Sequence, residues 1–132
     1  MLDNSITLAV DVANTGSTTD IDFTRFDEYN NRTVYISEDH EPGMRDELSF
    51  YRTFPKPNGV FKGTRKSSFK FTKDVEVSDN QGGVILSSVI FEVSVSIPVG
   101  VALADQVEMR QRAIAALDND TLMNMFHDKQ NI

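Results

Sequence analysis

The sequence contains no cysteine and no tryptophan, and only two histidines, His40 and His127. The lack of cysteine excludes a disulfide framework, a thiolate zinc site and a cysteine nucleophile. Apolar runs are only a few residues long, whereas a membrane-spanning helix needs about 20; no membrane partner is expected. The opening Met-Leu-Asp-Asn has neither a basic n-region nor an apolar h-region, so no secretory signal is expected there. Positive charge is also scarce: 13 basic residues face 20 acidic ones, a net −7 over 132 residues. That balance argues against generic nucleic-acid binding. What remains is 39% hydrophobic and 25% charged, an ordinary globular composition. The length suits a single domain over residues 1–132.

The net charge conceals an asymmetry. Residues 52–73 hold Arg52, Lys56, Lys62, Arg65, Lys66, Lys70 and Lys73, seven basic residues and no acid. Residues 1–51 hold 11 acids and three Arg, and residues 74–132 hold nine acids and three bases. One window therefore carries +7 and the remainder −14. Screening confines such fields to roughly 8–10 Å, so a local basic window in an acidic chain still attracts phosphate. The plainer alternative is a solvated strand pair whose lysines discourage edge-to-edge pairing.

The first 100 residues show alternation and turn signals rather than a helical period. Ser5–Val12 and Thr19–Phe26 flank Asn14-Thr15-Gly16-Ser17 and read as a hairpin. Arg32–Ser37 and Glu47–Phe54 read as strands around an EDHEPG turn. Pro55–Gly59 must interrupt any ladder, since proline cannot donate to it. Thr64–Val77 and Val84–Ile97 are the two longest strands, joined by SDNQGG. Then the period changes. Val101–Leu117 is rich in helix formers, with Leu103, Val107, Ile114 and Leu117 on one stripe. Asp120 is placed to cap a short second helix, Thr121–Lys129. Strands followed by two helices indicate an α+β fold, an antiparallel sheet with helices on one face.

Side chains alternate along a strand, so each long strand has two lists. Thr64–Val77 puts Phe69, Phe71, Val75 and Val77 on one face, and Lys66, Ser68, Lys70, Thr72, Asp74 and Glu76 on the other. Val84–Ile97 puts Val89, Phe91, Val93, Val95 and Ile97 on one face, and Ser88, Ile90, Glu92, Ser94 and Ser96 on the other. One helix pair is a small cover for so wide an apolar face. A two-fold dimer that merges two sheets would cover it and double the basic stripe. A monomer with a modest core is the alternative.

Other chemistry-bearing residues have plainer explanations. Glu38-Asp39-His40-Glu41 is the densest ligand cluster, but four consecutive loop residues rarely converge on a metal. His127, near a helix end, complements the helix dipole. Ser87-Ser88 with Glu92 has no histidine base nearby. Gly82-Gly83 lacks the strand–loop–helix context of a phosphate loop. Met109, Met123 and Met125 read as helix packing material. No catalytic residue, metal or cofactor is expected, and the chain is not read as an enzyme.

Two stretches, Arg65–Thr72 (RKSSFKFT) and Phe91–Leu117 (FEVSVSIPVGVALADQVEMRQRAIAAL), resemble segments of the coat proteins of single-stranded RNA bacteriophages, the levivirus type. The first is similar to that family's basic strand, the second to its last strand running through Ile-Pro into the first helix. The order of hairpin, sheet strands, long last strand and two helices extends the resemblance over the whole chain. The resemblance implies an intertwined homodimer with a merged sheet. Such dimers assemble into an icosahedral shell around single-stranded viral RNA and, in many members, bind a stem-loop as a translational repressor. It implies a virion location, with assembly in the bacterial host cytoplasm.

By position, the resemblance nominates Lys66, Ser68 and Lys70 on the basic strand, with Arg65 and Thr72 beside them, and Ile90, Glu92 and Ser94 on the last strand. Ile90 stands where the family often has an aromatic ring. Arg52 is the candidate for an RNA-facing arginine in the preceding strand, although alternation sets it with Leu48 and Phe50. The competing interpretation is a cellular dimeric α+β module that binds RNA or protein through its polar sheet face and never forms shells.

Overall fold

Each alternating segment becomes a strand, and all six join one sheet in sequence order. A computed structural model describes residues 3–128, with side chains described through Phe126. The strands are β1 (Ser5–Val10), β2 (Thr19–Tyr29), β3 (Arg32–Ser37), β4 (Asp46–Thr53), β5 (Thr64–Ser78) and β6 (Val84–Pro98). They form an antiparallel meander in which each strand neighbours the next. The helices are α1 (Leu103–Leu117) and α2 (Asp120–Met123), the latter running into a π-helical turn over Asn124–Asp128. The expected α+β order is thus the observed one. Lys129, the expected end of the second helix, and the side chain of His127 lie outside the described residues.

The turns follow local chemistry. The Asp11 carboxylate accepts the Thr15 and Gly16 backbone N–H groups at 2.8 and 2.6 Å, closing the β1–β2 turn. Asp79 does the same for Gln81 and Gly83 at the β5–β6 turn, at 2.8 and 2.7 Å. The Asp79–Gln81 bond is an Asx turn, and in both loops a short carboxylate replaces a backbone acceptor. β2 is longer than its pattern suggested because a bulge between Arg25 and Asp27 shifts the pairing. Such a bulge breaks the period of two that alternation relies on. The second helix is also capped differently from the expectation. Asn119, in an extended conformation, accepts the Leu122 N–H at 3.0 Å. Asp120 instead sits in the first turn, where its charge complements the dipole.

The chain divides into two compact units. One holds β1–β4 with Arg65–Ser96; the other holds Lys56–Thr64 with the chain from Ile97 onward. In the second unit the Val99 N–H donates to the Gly63 carbonyl at 2.9 Å. Gly63 has φ +93°, and a Cβ there would meet the Lys56 backbone nitrogen at 2.7 Å, so only glycine fits. α1 has no buried residue.

The core of the sheet unit is one apolar face. Register aligns Tyr35, Leu48 and Phe71 across β3, β4 and β5, and Thr33, Phe50 and Phe69 beside them. Phe23, Tyr35 and Leu48 form the buried centre, flanked by Ile6, Leu8, Ile21, Phe50, Phe69 and Phe71. The rings meet edge-on or tilted: Tyr35–Phe50 at 5.7 Å and Phe69–Phe71 at 5.8 Å between centroids, the geometry aromatic quadrupoles favour. Tyr35 is fully buried, yet its hydroxyl donates to the Asp3 carbonyl at 2.5 Å. Burial pushes the Tyr35 phenol up from its ordinary value. Leu48 is 2% exposed at the middle of this row. Leu48→Ala is expected to lower stability by about 2–5 kcal/mol through lost burial and the cavity left behind, as measured by the shift in denaturant midpoint.

Candidate nucleic-acid interface

The same register that buries one face builds the other. β4 and β5 pair without a register shift, matching Ser49 with Lys70, Tyr51 with Ser68 and Thr53 with Lys66. β3 continues the rows, with Val34 opposite Ser49 and Arg32 opposite Tyr51. Tyr29 at the end of β2 pairs with Arg32. These residues therefore share one face, the reverse of the Tyr35–Leu48–Phe71 core. Val34, Ser49 and Thr72 are buried beneath their longer neighbours. β6 is placed by Ser88, whose hydroxyl donates to Asp74 at 2.6 Å on this face. Ile90, Glu92, Ser94 and Ser96 follow on the same side by alternation.

Of the nominated residues, Lys66, Ser68, Lys70, Thr72, Ile90, Glu92 and Ser94 come together on this face. Tyr51, Thr53, Lys66, Ser68, Ser94 and Ser96 line a shallow depression of about 140 Å³, to which Arg52, Ser67 and Val95 at the alternate positions of the same strands also contribute. By alternation Arg52 and Arg65 fall out of phase with them, although Arg52 touches the lining of that depression. Arg52 pairs with Ser67 on the core side of β4, and its guanidinium lies 5.4 Å from the Phe54 ring. Arg65 is one residue out of phase with Lys66 and falls with Ser67 and Phe69. No bulge intervenes in β4 or β5 to rotate either residue onto the lysine face. The +7 window is therefore not one patch: Lys66 and Lys70 serve this face, Arg52, Arg65 and Lys73 the other, and Lys56 and Lys62 the intervening loop.

Two groups were missed in the sequence. Tyr51 lies between Arg32, 5.2 Å from its ring centroid, and Lys70, 5.6 Å away. Arg32 also donates to the Tyr29 hydroxyl at 3.3 Å. Its Nε–H is buried without an acceptor among the described residues. The alternation of ELSFYRTF already separates Tyr51 from Arg52, but Arg32 stands outside the basic window and signals nothing by itself.

A second cluster disposes of a carboxylate on the same face. Asp74 accepts the Arg45 backbone N–H at 2.9 Å, the Arg45 side chain at 3.2 and 3.3 Å, and the Ser88 hydroxyl. Arg45 also donates to Ser88 at 2.9 Å. The Arg45 guanidinium first, then Ser88, hold the Asp74 carboxyl well below the usual carboxylate range. Ser88 is thus a structural hydroxyl that ties β6 to β5. His40, in the dense ligand cluster, accepts the Asp46 N–H on Nδ1 at 3.2 Å and so braces the β3–β4 loop. Among the described residues no group of three or more His, Asp or Glu is arranged to hold a metal, and no helix is long and apolar enough to cross a membrane.

Comparison with known proteins adds the fold's relatives. No family model and no curated sequence matches. Among solved structures, a chain of the virus-like particle of bacteriophage AVE019 superposes with TM-score 0.74 at 17% identity, over 94% of this chain and 93% of that one. The virus-like particle of Wenzhou levi-like virus 4 gives 0.73 at 18% identity, over 96% and 86%. That of bacteriophage ESE058 gives 0.73 at 11% identity, over 97% of both chains. The chain therefore has the levi-like coat-protein fold over nearly its whole length.

The Asp74 cluster has a pH signature. Its folded-state acidity is depressed, so its contribution is present above the unfolded carboxylate pKa of about 3.9 and fades as pH falls toward the folded value. Asp74→Asn is expected to lower the melting temperature at pH 7, with the gap to wild type closing below about pH 4, followed by circular dichroism.

Proposed function

We propose that this chain is the coat protein of a single-stranded RNA phage, which dimerises, assembles into an icosahedral shell and packs RNA against its lysine-bearing sheet face. The observation that carries this reading is what the single chain leaves unfinished. β6 is a 15-residue strand at the edge of the sheet, and Val84, Ile85, Leu86, Val89, Ile90 and Val95 are all exposed along it. An unpaired, apolar edge of that length is a template for another strand. The apolar stripe of α1 (Leu103, Val107, Ile114 and Leu117) is exposed too, Leu103 at 73%. A second copy, paired edge to edge through β6, would extend the ladder and cover apolar surface of both chains. The likeness to chains of virus-like particles supports extending that dimer to a shell.

The polar face supports the RNA partner. Lys66 and Lys70 would neutralise phosphates and release counterions, giving sequence-independent affinity. Ser68, Thr72 and Ser94 would donate to phosphate oxygens. A stem-loop bound there would make the chain a translational repressor as well. The role is structural, located in the virion after assembly in the host cytoplasm.

Expression of the chain alone, followed by electron microscopy and the 260/280 nm absorbance ratio, tests the reading. Uniform shells with nucleic-acid absorbance are expected. Particles of a few tens of kilodaltons without nucleic acid, persisting after RNA is added at low salt, would overturn it in favour of a small binding module. Val89→Lys with Val95→Lys, two charges on the β6 edge, should leave a folded monomer and no shells by light scattering. Lys66→Ala with Lys70→Ala should weaken RNA binding and flatten its salt dependence by about two in slope. Arg52→Ala should leave that slope unchanged, because its side chain is on the other face.

A further inference from the structure

We propose that Tyr51 is a base-stacking residue, a ring on β4 that takes an unpaired nucleobase in exchange for the Lys70 ammonium. The inference rests on the RNA-binding reading of this sheet face and names a contact within it. Four side chains from four adjacent strands form an alternating aromatic and cationic row: Tyr29 on β2, Arg32 on β3, Tyr51 on β4 and Lys70 on β5. Cations reach the Tyr51 ring from the strands on either side, at 5.2 and 5.6 Å from its centroid. The ring also walls the depression that holds Lys66, Ser68, Ser94 and Ser96.

The two cations are not equivalent. Arg32 is tethered by its bond to the Tyr29 hydroxyl, and its flat guanidinium is a weakly hydrated stacking partner. Lys70 is a compact, strongly hydrated charge on a flexible stem, and its ammonium lies over the Tyr51 ring. A base arriving over Tyr51 would displace Lys70 rather than Arg32. The ammonium would then move to the phosphate of the same nucleotide, so a cation–π contact is replaced by base stacking plus a charge-assisted phosphate contact. Ser68, opposite Tyr51 in register, supplies a hydroxyl within the same depression.

Stacking and phosphate binding separate in their salt dependence, and this sets the test. A short single-stranded RNA with one 2-aminopurine is titrated with the assembled or dimeric protein at several salt concentrations, beside the same RNA with an abasic site. Wild type is expected to quench the 2-aminopurine and to bind the abasic RNA more weakly. Tyr51→Leu is expected to lose the quenching and about 5- to 150-fold in affinity, with the salt slope unchanged. Tyr51→Phe, which keeps the ring, should bind like wild type. Lys70→Ala should lower the slope by about one while the quenching persists. Steep salt-dependent binding with no quenching, and with equal affinity for the abasic RNA, would overturn the stacking role and leave the RNA face intact. That result is read on wild type alone, so it stands even where a variant fails to fold. No binding of either RNA would overturn both readings together.

Discussion

The packing of Phe23, Tyr35 and Leu48, with Phe71 beside them, is the contact on which the other assignments depend. It locks β3, β4 and β5 in register. Because the side-chain period of a strand is two, a slip of one residue would exchange the two faces entirely. Lys66, Ser68 and Lys70 face away from the core only because Phe69 and Phe71 face into it. Tyr51 is available for chemistry for the same reason, since its neighbours Phe50 and Arg52 are directed to the core side. The aromatic core and the polar face are thus one constraint seen from two sides.

A second constraint comes from what the core leaves uncovered. Among the described residues the buried apolar set is small: Phe23, Val34, Tyr35 and Leu48. A chain of this size ordinarily buries about two thirds of its unfolded surface. Here β6 and α1 keep their apolar residues exposed. Stability gained by covering them would come from association, so folding and assembly would be energetically linked.

Charge is arranged against its own average. The chain is strongly acidic, yet one carboxylate on the polar face is held locally. Asp74 is consumed by Arg45 and Ser88. The basic window divides between two faces and a loop, so density of positive charge along the sequence overstates density in space. Arg32, from an otherwise acidic stretch, partly restores it. The face is therefore less a lysine stripe than a row of rings and cations.

Much of this was legible from residues alone. Strand and helix order, the places of the turns and the two lists of each strand are properties of a few neighbouring residues, and local pattern records them directly. It even placed Arg52 with Leu48 and Phe50. What one strand cannot encode is which residue of the next strand lies beside it, because that depends on register, set jointly by turn length and core packing. Only the folded sheet put Arg32 and Lys70 about Tyr51, and Ser88 on Asp74, 14 residues away across a hairpin. The Arg25–Asp27 bulge and the Asn119 cap escaped for a related reason. Both hinge on backbone angles that neighbouring elements select, so the sequence determined the faces and tertiary structure decided the neighbours.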